Sequence, residues 1–574
     1  LTHEAAYRIS RRLAIAFGTG LAVIEVFYNW GNPSWWPFIV VDFVAVALLL
    51  YGAMRSPTVL AAGWGFAGPG MLPLGSAVYA LLVLALMSSA PCVSRAASAR
   101  APNVILIVID DLGYGDIGPY GEEFADTPSL DRLAAEGMRF TDGYAAAPVC
   151  SPTRAAILSG RYGPRTGVMR VIVPGYRVPD PENTRTKLLP PPAAMNLAAE
   201  PPTLAALLQR AGYRTAHVGK WHLGGFGVGG TEPTTLGFDE AYAWNNLEYG
   251  RWYATSFVGG LLGFLPERLQ RSLGWSEYTV EDLTRRAIAF IERHADVPFF
   301  LQLSHYTVHD PVQARPETIE KYQRRLAARD GQPTARENPH FAAMLEEMDA
   351  SVGVLLAALE HLGLVDETVV VFTSDNGGLV TRPRTRMIAL AWELPWPHTP
   401  STDLSPLRAG KGTLYEGGIR VPYIVRWPGV VAPGSVSPAI VHSIDLLPTI
   451  AEIAGIPRGS LPGDVDGISL VPVLRGESPR AEPRAVYWHY PFYPTDYPGF
   501  TPASAIRSGR YKGIYFYEDD RFEVYDLERD VGETRDLGPV EPDLAERLRA
   551  SLDTWMESVG ARRPRPNPAR VEAR

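Results

Sequence analysis

Cysteine is almost absent, with two in 574 residues. Cys92 falls in an apolar stretch near the N-terminus, so the polar remainder of the chain holds one thiol, Cys150, and no internal disulfide can staple it. A surplus of positive charge is also missing. The formal net charge is −8, which implies no nucleic-acid partner. Ionisable side chains are scarce in the first hundred residues and ordinary in number afterwards. A chain of this length can bury a large core and divide into more than one domain.

The scarcity of charge leaves three apolar stretches at 13–30, 38–54 and 74–93. Each has about the length that crosses a bilayer. Arg8, Arg11 and Arg12 before the first stretch and Arg55 after the second favour the cytoplasmic side, with the Trp35-Trp36 loop outside. A third crossing then delivers the rest of the chain to the extracytoplasmic, periplasmic side. The third stretch also reads as a signal-peptide core, because Ala97-Ser98-Ala99 resembles a leader cleavage site. Residues 1–100 are thus expected as an α-helical membrane region of about three transmembrane helices, leaving the protein membrane-anchored or exported. Glu25 and Asp42 fall inside these spans and are assigned no function.

What is present begins with the lone soluble thiol. Cys150 opens the run Cys150-Ser151-Pro152-Thr153-Arg154, and Ser159-Gly160-Arg161 follows. Pro152 suits the first position of a helix that Ala155-Ala156-Ile157-Leu158 continues. Cys150 then lies at a helix N-terminus, where N–H groups and the dipole favour an anion. Arg154 adds a fixed positive charge. That anion is either the thiolate itself or a bound oxyanion. The plain alternative is a small buried hydrophobe.

From Asn103 onward the pattern is strand, loop, helix. Residues 104–109 form a continuous apolar run, as expected of a buried parallel strand, and end in Asp110-Asp111-Leu112-Gly113. Residues 369–373 end in Ser374-Asp375-Asn376-Gly377, residues 215–218 in Gly219-Lys220-Trp221-His222, and residues 299–303 near His305 and His309. Four strands thus deliver polar groups past their carboxyl ends, the edge at which open α/β sheets bind ligands. Either acidic pair alone reads equally as a turn or a helix cap. Together Asp110, Asp111, Asp375 and Asn376 offer four hard oxygen donors, which suit Ca²⁺ or Mg²⁺ and not zinc. Lys220 and His222 share a face if their segment is extended. Lys411 sits in the glycine-rich run Gly410-Lys411-Gly412-Thr413-Leu414-Tyr415-Glu416-Gly417-Gly418, whose glycines would let backbone approach an anion.

Cys-x-Pro-x-Arg followed by Ser-Gly-Arg, with these further motifs in order, resembles the type I sulfatases of the alkaline phosphatase superfamily. The likeness covers about residues 102–540. It implies an α/β fold in which helices sandwich a large mixed, mostly parallel sheet. The catalytic domain would span 101–435, with its core completed by 436–480. A smaller C-terminal α+β subdomain, an antiparallel sheet plus a helix at 544–559, would span 481–560. Residues 561–574, rich in Arg and Pro, read as a disordered basic tail.

The same resemblance implies that a formylglycine-generating enzyme converts Cys150 to formylglycine, whose hydrate is the nucleophile. Asp110, Asp111, Asp375 and Asn376 would hold one divalent cation, usually Ca²⁺ with Mg²⁺ as the alternative, and position 150 would complete its shell. Arg154, Lys220, His222, His309 and Lys411 would be the catalytic side chains. A histidine two residues before a proline selects His309 over His305. The expected activity is hydrolysis of aryl or carbohydrate sulfate esters, on a small molecule or a glycan. The alternatives are a phosphonate monoester or phosphodiester hydrolase of the same superfamily, an inactive membrane-anchored binding homologue, and a membrane channel or sensor fused to a hydrolase. A proline-rich stretch at 174–202 and an aromatic one at 244–275 are expected to shape the pocket mouth.

Overall fold

The structure is a computed structural model. It describes residues 100–172, 186–224, 231–242, 279–310, 312, 314–329, 334, 336–381, 402–477 and 484–570. The three apolar stretches before residue 100, the aromatic segment at 244–275 and residues 174–185 of the proline-rich stretch lie outside the described residues. Among the described residues no helix is long and apolar enough to cross a membrane.

Eight strands form the main sheet. They are β1 (Asn103–Ile109), β2 (Met138–Tyr144), β3 (Arg214–Gly219), β4 (Glu240–Tyr242), β5 (Phe299–Ser304), β6 (Thr368–Ser374), β7 (Tyr423–Arg426) and β8 (Ser435–His442). Their spatial order is β4-β3-β5-β1-β6-β7-β2-β8. Only β7 runs against its neighbours; the other pairings are parallel. The central strand β1 is buried along its whole length, which requires cover on both faces. Ile105, Ile107 and Ile109 enter one apolar cluster with α1 (Pro128–Glu136), α4 (Thr279–Arg293) and α6 (Pro339–His361). Val104, Leu106 and Val108 point the other way, toward α2 (Cys150–Ser159), α3 (Leu204–Arg210) and α7 (Leu446–Ile453). Between α4 and α6, α5 (Pro316–Ala327) adds Tyr322 to the first cluster.

A second sheet is an antiparallel meander of β9 (Ala485–Tyr490), β10 (Ala503–Ser508), β11 (Tyr511–Phe516) and β12 (Arg521–Asp526). On one side Leu548, Leu552, Trp555 and Met556 of α8 (Pro542–Ser558) pack with Ile506 and Val524. On the other, Val486, Trp488 and Ile514 pack with Tyr144, Leu414 and Ile419 of the main domain.

Two expectations change here. Residues 561–570 are not a disordered tail. Arg565–Pro566 pairs antiparallel with Leu188–Leu189, and Asn567 donates from its amide side chain to the Thr186 carbonyl (2.9 Å) and from its backbone to the Lys187 carbonyl (2.9 Å). Asn567 supplies the donors that the neighbouring prolines lack. Helix α2 also starts two residues earlier than the proline suggested, at Cys150 itself, after an extended Val149. Pro152 is then third in the helix, still within the first turn, where N–H groups have no intrahelical acceptor.

Candidate active site

The loops beyond β1, β3, β5 and β6 are cross-linked by backbone bonds. Asp110 N–H donates to the Thr307 carbonyl (3.0 Å), Asp375 N–H to Ile109 (3.1 Å), Lys220 N–H to Ser304 (2.8 Å) and Lys411 N–H to Gly378 (2.9 Å). Glycine is required where these loops cross. At Gly219, φ is 98° and a Cβ would stand 1.9 Å from the Ser304 carbonyl oxygen, a site no L side chain could occupy. A Cβ on Gly377 would stand 1.8 Å from the Gly417 carbonyl oxygen. In the lysine loop a Cβ on Gly417 would stand 2.2 Å from the Ala409 carbonyl oxygen and one on Gly418 2.1 Å from that of Thr413, so these two glycines are required by backbone-to-backbone packing. The Lys220–His222 segment is not extended, since His222 has a φ of 57°.

These loops bring charge together out of water. The Cys150 thiol lies 3.4 Å from Asp110 Oδ1, to which it donates, and 3.4 Å from the Lys220 ammonium. Lys220 also bonds Asp110 Oδ2 at short range. Arg154 grips Asp375 Oδ2 through Nε (2.8 Å) and Nη2 (2.7 Å) and donates from Nη1 to the Lys220 carbonyl (2.8 Å). Lys411 Nζ donates to Asp111 Oδ2 (2.7 Å), which His309 Nε2 approaches to 3.6 Å. Asn376 Nδ2 donates to Asp111 Oδ1 (2.7 Å), and Asp375 Oδ1 accepts from Asp111 N–H (3.2 Å). His222 Nε2 meets the Ile172 carbonyl at 3.2 Å.

His305 is not part of this cluster. It is fully buried on the other side of the loop, with Nε2 3.2 Å from Ser351 Oγ of α6. Ser374 is a member that sequence reasoning passed over. Its hydroxyl lies 2.9 Å from the Asn376 carbonyl and 3.1 Å from that of Ile109, and it accepts from Leu112 N–H (3.0 Å). It thereby couples the two acidic loops. Its place at the end of β6, directly before Asp375, was the available signal.

Burial and neighbours set the charge states. Burial pushes the Cys150 thiol far above its usual range; Lys220 and Lys411 pull it down, but Asp110 and Asp375 oppose them. Burial therefore disfavours the charged thiolate here. Burial also raises Asp375, to about 6, against Arg154 and with help from Asp110. Burial would raise Asp111 too, but Lys411, His309 and Lys220 together hold it below the usual carboxylate range. Burial disfavours the Lys411 charge, yet Asp111 and Cys150 keep its pKa well above normal. Burial and then Lys411 bring His309 down to about 4. Burial, Lys220 and Arg154 keep His222 neutral.

The donor set fits a hard divalent cation. Asn376 Oδ1 is buried with no donor, which is costly unless something else satisfies it. One ligand atom from each of Asp110, Asp111, Cys150 and His309 lies within 4.8 Å of the others. An orphaned amide oxygen among carboxylates matches the oxygen coordination of Ca²⁺ or Mg²⁺. The three carboxylates Asp110, Asp111 and Asp375 balance Arg154, Lys220 and Lys411, so a bound dication would make the site positive and attractive to an anionic ester.

Known proteins place the chain in a family. The sequence matches the family model described as Sulfatase over residues 102–456. Residues 410–558 match the model described as N-sulphoglucosamine sulphohydrolase, C-terminal. Arylsulfatase A of Homo sapiens is 34% identical over 481 residues, spanning 77% of this chain and 84% of that protein. Steryl-sulfatase of Mus musculus is 33% identical over 596 residues, spanning 87% and 88%. Among solved structures, Ps i-CgsB in complex with k-i-k-neocarrahexaose is 27% identical, with a TM-score of 0.59, over 79% of this chain and 93% of that one. The chain belongs to the type I sulfatases, within the alkaline phosphatase-like superfamily, and is an enzyme that hydrolyses sulfate esters.

Proposed function

We propose that this sulfatase acts through formylglycine at position 150 and one divalent cation, Ca²⁺ or alternatively Mg²⁺, held by Asp110, Asp111, Asp375 and Asn376. One observation carries the reading: in a fully buried set of matched charges, Asn376 Oδ1 is left without a donor beside the carboxylates. When present, the cation neutralises sulfate oxygens and the formylglycine hydrate supplies an oxygen nucleophile. The rest falls to this chain's own side chains. Lys220 and Lys411 flank position 150 and would bind the sulfate by charge-assisted hydrogen bonds. Arg154, clamped by Asp375 and the Lys220 carbonyl, would orient residue 150. Lys411 keeps its charge and would donate to the leaving oxygen, while His309, whose Nδ1 donates to the Asp310 carbonyl (2.6 Å), would when neutral present Nε2 to the site as an acceptor. His222 donates from Nε2 to the Ile172 carbonyl, so when neutral it would keep Nδ1 as the lone pair with which to act as the base for releasing sulfate.

The substrate class is an aryl or glycan sulfate. The apolar stretches before residue 100 and their flanking arginines support a membrane-anchored or exported enzyme with this domain on the extracytoplasmic side. Cys150 is 1% exposed, so a formylglycine-generating enzyme would have to reach it before folding.

The test is mass spectrometry of the peptide spanning Cys150, from protein made with that maturation enzyme. The expected mass is that of the aldehyde or its hydrate. Cys150→Ala should abolish turnover, a loss of about 10⁴-fold or more for a covalent nucleophile, with an unchanged circular dichroism spectrum. An unmodified thiol in fully active protein would sink the proposal.

A further inference from the structure

The loops that carry Asp111, Asn376 and Lys411 meet at one buried carboxylate that the mechanism does not use. Asp116 follows Asp110-Asp111 in the chain and is 2% exposed. Its Oδ2 accepts from Gly113 N–H (2.7 Å), which folds the chain back on itself just past Asp111. Its Oδ1 accepts from the Thr402 hydroxyl (2.5 Å), in the stretch that runs on into Lys411. The same carboxylate faces the third loop. A Cβ on Gly378, just past Asn376, would stand 3.2 Å from Asp116 Oδ2, 2.6 Å from Thr402 Cγ2 and 3.4 Å from Leu404 Cδ2. The Gly378 carbonyl in turn accepts from Lys411 N–H (2.9 Å). Ser374 ties the two acidic loops at the strand ends. Asp116 ties them farther along and brings in the lysine stretch.

Among the described residues Asp116 has no ion-pair partner. Arg336 places its donors on the Asp403 and Ser405 carbonyls instead. Burial raises the Asp116 carboxyl to about 7, against the bonds from Thr402 and Gly113. A buried polar group is costly unless it is hydrogen-bonded, and here both oxygens are. What Asp116 supplies is thus the pair of bonds it accepts, one from each of two loops, at the point where the third loop is packed. Groups that hold metal ligands from behind typically change cation affinity or activity by about 10–100-fold when removed.

We propose that Asp116, anchored by Thr402, is a positioning residue for the cation site, and that it sets the spacing of Asp111, Asn376 and Lys411. Loss of this pin then reaches both the cation and the lysine. The inference rests on the reading of Asp110, Asp111, Asp375 and Asn376 as the cation ligands.

The test uses the full chain, with position 150 verified as the aldehyde. Ca²⁺ affinity is measured by calorimetry on chelator-stripped protein, and stability by urea unfolding with chelator present. Values of kcat and KM are measured on 4-nitrophenyl sulfate at saturating Ca²⁺. Asp116→Ala should weaken Ca²⁺ binding about tenfold or more, and should lower kcat even at saturating Ca²⁺. Asp116→Asn keeps an acceptor for Gly113 N–H and offers Thr402 an amide donor, so it should restore Ca²⁺ affinity to near the parent value. Thr402→Val should weaken Ca²⁺ binding in the same sense, and Thr402→Ser, which keeps the hydroxyl, should not. That pair carries the test by itself where Asp116→Ala does not fold. A lowered urea midpoint with parental Ca²⁺ affinity, in Asp116→Ala or in Thr402→Val, would show a packing role and overturn the proposal, while leaving the cation reading standing. An Asp116→Asn variant as weak as Asp116→Ala would show that charge and not placement is used, and overturns it too. A parent enzyme that binds neither Ca²⁺ nor Mg²⁺ overturns the cation reading, and this inference with it.

Discussion

Two buried clusters in this protein carry the same inventory of charge. At the edge of the main sheet, Asp110, Asp111 and Asp375 face Arg154, Lys220 and Lys411. Between the two sheets, Asp142, Glu416 and Glu533 face Arg420, Arg507 and Lys512. None of these residues is as much as a tenth exposed. In the second cluster each carboxylate oxygen lies against a donor or a cation. Lys512 Nζ is 2.8 Å from both Glu416 Oε1 and Glu533 Oε1. Tyr144 donates to Glu416 Oε2 (2.8 Å), and Glu416 N–H donates to Glu533 Oε2 (2.6 Å). Asp142 Oδ1 pairs with Arg507 (2.6 Å), and Oδ2 accepts from Thr141 (2.6 Å). The first cluster keeps one acceptor, Asn376 Oδ1, unserved. The difference separates a lock from a receptor: equal charges hold two sheets together when each carboxylate oxygen has a charged or polar partner, and call for a ligand when a buried acceptor has neither.

The sharpest way to break this comparison is to remove one cation from the lock. Lys512→Met leaves Glu416 and Glu533 buried against each other. Removing one partner of a buried ion pair typically costs about 3–5 kcal/mol, so urea unfolding should show a loss of that order. Turnover per folded molecule should stay near the parent value. In the receptor, Lys411→Met should do the reverse, with turnover lost and stability nearly kept when the cation is supplied. Equal stability losses in both variants would erase the distinction.

The next effect in size concerns the unserved oxygen. A cation held in the folded state stabilises it by mass action, by about 2.7 kcal/mol at a hundredfold excess over its dissociation constant. Thermal unfolding with Ca²⁺ and with a chelator should therefore differ for the parent. Asn376→Ala should shrink the difference, and Lys512→Met should keep it. A parent whose Tm ignores both Ca²⁺ and Mg²⁺ has no cation at this site.

Sequence reading went furthest where short-range chemistry decides. The apolar run of β1 needs cover on both faces, and Asp110-Asp111 and Asp375-Asn376 lie where parallel strands end. Those signals located the main sheet and the receptor. The lock was not legible, because its members come from β2, the lysine loop, β10, β11 and the turn near Glu533, and no spacing links them. The choice between His305 and His309 also depended on packing: the two lie four residues apart, and the chain turns one into the helices and the other toward Asp111. The Lys220–His222 segment departs from the extended form because a local rule does not hold for backbone whose shape is set by contacts with distant loops.

A further expected effect, modest per pH unit, is a pH dependence to which the lock contributes. Burial raises the Glu533 carboxyl to about 7, with Glu416 adding to the shift and Lys512 opposing it. Its ordinary value is 4.5. Between these limits the folded protein binds a proton that the unfolded chain has released. Stability from this group is therefore present at the acid end and falls as pH rises through the window, by up to about 1.4 kcal/mol per pH unit. Glu416 works in the opposite sense and lower on the scale. Burial resists its charge, but Lys512, Arg420 and Arg507 hold it down to about 2, so its contribution is complete above 4.5 and is lost as pH falls toward 2. Glu533→Gln should reduce the fall between pH 4.5 and 7, leaving the part due to Asp375, which burial raises to about 6, and leave the acid limb in place. Urea midpoints across that range measure both, and a variant that keeps the parent slope would show that Glu533 is charged like its neighbours.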